Sequence, residues 1–126
     1  MSAIVKAIRL GIAASLLAVG VATPVRVLAA ETPLTGTATF YNEKFQGKKT
    51  SSGEVYDGAG LTASHKTLPY GTKVKVTNLA NNQSVVVTVN DRMKKSSKVL
   101  IEVSKHAAEE LGFAKSGKAK VKLEVQ

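Results

Sequence analysis

Cysteine is absent from all 126 residues. That rules out disulfides, a thiolate nucleophile and a Cys-ligated zinc, and leaves no N-terminal Cys for lipid attachment. A domain of this size must then fold on a hydrophobic core alone, as a compact barrel can. Tryptophan is also missing, and there are 3 Tyr and 3 Phe. The scattered basic residues lack the aromatic interleaving of an RNA-binding stripe, so nucleic acid is not expected as a partner. Acidic residues are few, 9 against 18 Lys and Arg. The apolar run over residues 10–22 falls short of the roughly 20 residues that a membrane span needs.

That run has another use. Lys6 and Arg9 precede it, and small residues follow near Ala29 and Ala30. Basic start, apolar middle and small-residue end form a cleavable secretory leader, so residues 1–30 are expected to be removed and the product exported, periplasmic or secreted. Residues 31–34 read as a linker, because Pro33 discourages regular structure. Residues 35–126 form one domain, expected to be a free monomer with no stable membrane anchor. Residues 31–126 carry a net charge of +6, which suits an anionic partner at the cell envelope, such as a wall polymer or lipid headgroups.

The domain reads as short strands. Period-2 alternation marks residues 35–41, 72–77, 84–90 and 119–125, with Val74, Val76, Val85, Val87 and Val89 inward, and the apolar residues 99–103 read as another strand. Asp91 continues the valine phase, so alternation aims its carboxylate at the barrel interior or rim. Ser104 can cap a short helix that Gly112 ends. The expectation is a mainly β fold, a small closed barrel with one short helix, since closure leaves few bare strand edges. The polar loop over residues 42–53 is long for so small a domain, which favours a functional role.

Three groups in the middle of the chain carry chemistry: Glu54 after Gly53, His65 before Lys66-Thr67-Leu68-Pro69, and Asp91 between Asn90 and Arg92. Taken singly, each has an ordinary reading as a surface carboxylate, a turn residue or turn chemistry. A metal site from Glu54, His65 and Asp91 has no recognised local zinc motif, and no cofactor is expected. Tyr41, Phe45 and Tyr70 offer rings for stacking on a ligand or for packing in the core.

The order and spacing of these blocks add more. Gly36-Thr37-Ala38-Thr39-Phe40-Tyr41, Thr50-Ser51-Ser52-Gly53-Glu54, Ala63-Ser64-His65-Lys66-Thr67-Leu68-Pro69 and Val89-Asn90-Asp91-Arg92 resemble the rare lipoprotein A (RlpA) family. The resemblance implies a six-stranded double-psi β-barrel and lytic transglycosylase activity on peptidoglycan glycan strands, preferentially those without stem peptides. Carried over by motif, the catalytic residues are Asp91, Glu54 and His65, with Tyr41, Lys66 and Arg92 expected at the substrate. Cleavage between N-acetylmuramic acid and N-acetylglucosamine needs a carboxyl group that stays protonated near neutral pH. Asp91 is expected to be that group, with Glu54 supporting it and His65 bonded to a carboxylate or to substrate; between Asp91 and Glu54 the acid and base roles stay open.

Two local departures are visible. The family's Gly-Pro after Asn-Asp-Arg is Met93-Lys94 here, and its Ile-Asp-Leu-Ser is Ile101-Glu102-Val103-Ser104. The altered loop favours an alternative in which the barrel binds wall glycan without cutting it, as expansin-like proteins do. A barwin-like defence factor fits less well, since such relatives rely on disulfides.

Overall fold

The computed structural model describes residues 34–126, so the expected leader and cleavage point lie outside the described residues. Six strands follow in order: β1 (Leu34–Phe40), β2 (Thr62–His65), β3 (Lys73–Asn78), β4 (Ser84–Arg92), β5 (Ile101–Val103) and β6 (Lys118–Val125). One α-helix, α1 (Lys105–Leu111), and a 3-10 turn at Glu43–Phe45 complete the described elements. The strands close in the order β1-β5-β2-β4-β3-β6, with β1/β5 and β2/β4 parallel and the other pairs antiparallel. This is the expected small double-psi barrel. β1 takes in Leu34, one residue earlier than its alternation indicates, and β5 starts at Ile101 instead of 99.

Alternation builds the core. Val74, Val76, Val87, Val89, Ile101, Val103, Val121 and Leu123 are all at most 2% exposed, while Lys73, Lys118 and Lys120 between them stay in water. Ala107, Ala108 and Leu111 of α1, with Phe113, pack against this cluster. Ser104 caps the helix by accepting from the Ala107 amide, and its hydroxyl donates to the Gly60 carbonyl at 2.6 Å. Gly112 ends the helix at φ 82°, in the left-handed region that glycine tolerates. β2 is the strand that periodicity does not announce: three of its four residues are buried, and no alternation shows.

One irregularity sets the position of the site. Along the β2/β4 pair, Ala63 lies opposite Val89, but the next residue, Ser64, lies opposite Asp91, so Asn90 is an extra residue in β4. A bulge of one residue reverses the phase of everything after it. Asp91 therefore leaves the valine row, contrary to the expected inward carboxylate. It joins an outward row whose members pair in turn: Lys118 with Thr39, Thr39 with Glu102, Glu102 with Ser64, and Ser64 with Asp91. His65, one step on from Ser64, falls in the phase of buried Ala63.

Deleting Asn90 should make the β2/β4 pair regular, with Asp91 still opposite Ser64 on the outer face, and should remove the hydrogen bond to Glu54 that ties the 42–60 loop to β4, lowering unfolding stability by roughly 1 kcal/mol in a denaturant titration. Carboxyl-carbon NMR on the deletion variant should find the Asp91 pKa still below its usual value. A raised Asp91 pKa would mean that the carboxylate had turned into the core and that the extra residue does not set the phase.

Candidate active site

Asp91 and Glu102 line one pocket of about 190 Å³, together with Tyr41, Ser64, Arg92 and Met93. Their environments differ. Four hydrogen bonds converge on Asp91: from the Tyr41 hydroxyl at 2.5 Å, from the Ser51 amide and hydroxyl at 2.9 Å each, and from the Arg92 amide at 2.9 Å. Burial alone would raise the Asp91 pKa, but these donors together hold it below the usual value. Asp91 is thus the ionised carboxylate, and the expectation of a raised pKa there is corrected. The apolar surroundings that alternation implied are replaced by donors.

The carboxyl pushed upward is Glu102. Burial raises its pKa first and the Asp91 charge second, while a hydrogen bond from Thr39 partly offsets them. Two carboxylates, one rich in donors and one poor, thereby acquire opposite protonation preferences. The sequence carries one signal for Glu102, a carboxylate alternating with Ile101 and Val103 in a strand.

The other expected residues frame the pair. Glu54 is exposed and accepts from the Asn90 amide nitrogen at 3.1 Å, tying the 42–60 loop to the bulge. His65 meets no carboxylate. Its Nδ1 accepts from the Thr67 and Leu68 amides at 3.1 Å each, which holds the turn after β2. Burial, then the Arg92 and Lys66 charges, lower its pKa, so the imidazole is neutral with its proton on Nε2. Tyr41 is 5% exposed, stacks on Tyr56 at 4.3 Å and spends its hydroxyl on Asp91, so it positions the carboxylate and offers no free face to a sugar. Burial followed by Asp91 holds its phenol above the ordinary range. Arg92 donates to the His65 and Leu68 carbonyls at 3.0 and 2.7 Å and lies over the Tyr70 ring at 4.6 Å. Lys66 is half-buried and does not line the Asp91–Glu102 pocket.

The 42–60 loop closes the site. It folds back through paired backbone bonds, Gly47 amide to Tyr56 carbonyl at 3.0 Å and Tyr56 amide to Lys48 carbonyl at 2.8 Å. Gly53, at φ 96°, makes the turn that brings Ser51 over Asp91. Phe45, Lys48 and Lys49 of this loop, all exposed, line the carboxylate pocket, and exposed Tyr70 joins the Ser51 hydroxyl at 2.7 Å. Among the described residues no cluster of His, Asp and Glu could hold a metal ion.

Comparison with known proteins adds independent information. A family model described as lytic transglycolase matches residues 34–123. A Pseudomonas aeruginosa protein named endolytic peptidoglycan transglycosylase RlpA is 50% identical over 91 residues, 72% of this chain and 27% of that protein. A Neisseria meningitidis protein of the same name is 50% identical over 95 residues, 75% of this chain and 40% of its own. The chain thus spans about a quarter to two fifths of the length of these relatives. Among solved structures, a Clavibacter michiganensis expansin mutant in complex with cellohexaose aligns with TM-score 0.62 at 17% identity, covering 75% of this chain and 50% of that one. A Streptomyces papain inhibitor aligns at 0.60 and 19%, covering 75% and 94%. At those identities the likeness concerns the fold.

Two titrations check the electrostatics. Carboxyl-carbon NMR should place the Glu102 midpoint above the ordinary carboxylate range, and Asp91→Asn should lower it by removing the neighbouring negative charge. An unmoved midpoint would break the coupling. The His65 shift bears on stability, because the unfolded imidazole binds a proton that the folded one refuses. Its stabilisation should be complete above the unfolded value of about 6.5 and decline as pH falls from there toward the lowered folded value. His65→Ala should flatten that dependence and cost roughly 1–3 kcal/mol, since two amides lose their acceptor.

Proposed function

The chain belongs to the lytic transglycolase family, and on that premise we propose that it cleaves the bond between N-acetylmuramic acid and N-acetylglucosamine in peptidoglycan, leaving a 1,6-anhydro end. The observation that carries this reading is the placement in one pocket of Asp91, held ionised by four donors, and Glu102, whose pKa burial and the Asp91 charge push upward. Glu102 donates its proton to the oxygen joining the two sugars, the bond from the muramyl C1 to that oxygen breaks, and positive charge develops at C1. The Asp91 carboxylate, fixed by four donors, stabilises that charge without reorganising. Glu102, now anionic beside Asp91, takes the proton from the C6 hydroxyl as O6 bonds to C1. One carboxyl group thereby serves as acid and then as base.

Glu54 and His65 act through others in this scheme, Glu54 by holding Asn90 and His65 by holding the turn that carries Arg92's acceptor carbonyls. Phe45 and Tyr70 supply exposed rings for sugar faces, and Lys48, Lys49 and Arg92 place positive charge around the carboxylates. That charge favours strands stripped of stem peptides, whose lactyl groups end in free carboxylates. Such a substrate implies export; the leader ending near Ala29 or Ala30 and action as a monomer belong to the same proposal.

Peptide-free glycan digested with the protein should release sugars ending in 1,6-anhydro-N-acetylmuramic acid. Glu102→Gln should reduce kcat by roughly 100-fold or more, the usual share of a general acid, and Asp91→Asn by roughly 100-fold. Glu54→Gln should be milder. Product with reducing ends would mean hydrolysis, and retention of glycan without any soluble product would leave a wall-binding barrel. The wild-type rate should fall as pH rises through the Glu102 pKa, because the acid is then lost.

A further inference from the structure

The outward row that contains both carboxylates does not stop at the pocket. From Glu102 it runs to Thr39 on β1 and Lys118 on β6. There it meets a ladder in which Thr39, Thr37 and Thr35 each pair across the β1/β6 ladder with Lys118, Lys120 and Lys122. The rungs recur every second residue, about 7 Å apart. The middle one is closed, with the Lys120 ammonium 3.2 Å from the Thr37 hydroxyl.

Surface depressions follow the same line. Glu102 and Met93 form a shared wall between the catalytic pocket and a second hollow of about 260 Å³ that includes Thr39 and Lys94. A third, of about 350 Å³, is lined by Thr37, Lys118, Ala119 and Lys120, and Lys118 is the pairing partner of Thr39. Lys94, Lys118 and Lys120 are exposed and enter none of the ion pairs among the described residues.

We propose that this Thr–Lys ladder is an extended binding track for the anionic glycan strand on one side of the bond that breaks, with Lys118 and Lys120 taking free carboxylates and the threonines taking sugar hydroxyls. The inference rests on the glycan-cleaving reading above. Charge complementarity and continuity with the catalytic pocket argue for this occupant. The six outward side chains of the ladder include no large apolar group to enter a bilayer, which makes a lipid surface a poorer fit. Nor is there a ring on which a nucleobase could stack. Holding the strand beyond the reacting sugars strengthens ground-state and transition-state binding alike, so the track acts on KM more than on kcat.

The test compares the wild-type protein with the Lys118→Gln, Lys120→Gln double variant. Substrates are long peptide-free strands, the same strands with methyl-esterified carboxyls, and short oligosaccharides that fill only the catalytic pocket. KM for the long acidic strands should rise about tenfold with kcat unchanged, the sum expected of two exposed charge contacts. Esterified strands and short oligosaccharides should show no difference between the proteins. An unchanged KM, or an equal rise on esterified strands, would overturn the track. The affinity of Glu102→Gln protein for long strands, with and without the lysine changes, separates the two proposals. If wild-type protein releases no product, the cleavage reading fails, yet weaker strand binding after lysine removal still supports the track and equal binding overturns it. Anionic phosphatidylglycerol vesicles that bind through these lysines and displace the strand would assign the surface to lipid instead.

Discussion

The extra residue Asn90 in β4 is the constraint on which the rest of the site depends. Strand alternation is unforgiving: a carboxylate two residues beyond Val89 would enter a core of valines, where it must be neutral or paired. The bulge moves Asp91 to the outer face and opposite Ser64, and the 42–60 loop then covers that face. Asp91 consequently sits where it is shielded from bulk water yet supplied with hydroxyl and amide donors. Glu54, bonded to Asn90, ties the covering loop to the bulge itself.

From that placement the electrostatic difference between two carboxylates follows. Asp91 consumes the local donors, Tyr41, Ser51 and the Arg92 amide, and remains charged. Glu102 lies two strands away along the same outward row, has little beyond Thr39 to support its anion, and feels the Asp91 charge. The asymmetry needs no unusual residue; it arises from which side of a six-stranded ring the loop folds over. Substituting Glu for the family's Asp in the Ile-Asp-Leu-Ser block leaves a carboxyl at this point.

Much of the scaffold was legible in the chain. The alternation of Val74, Val76, Val121 and Leu123 with lysines and other polar residues, the Ser104 cap and the Gly112 stop correspond to what the barrel shows. The candidate site was legible in part. Asp91 stands in it, while His65 and Glu54 support loops around it and Tyr41 proves to be a buried donor. Short β2 has no period-2 signature, because a strand buried on both faces carries no alternation.

Local sequence by itself determined the elements: side-chain polarity repeats every second residue, helix ends need particular caps, and these are nearest-neighbour properties. Protonation was decided only by tertiary structure. Whether a carboxylate is charged depends on the donors and charges within a few ångströms, and three of the four donors at Asp91 come from residues 40 and 50 positions away in sequence. The bulge decided which of them it would meet. A single unpaired residue in a ladder leaves no mark in period or composition, yet it selects the face of the sheet on which the chemistry stands.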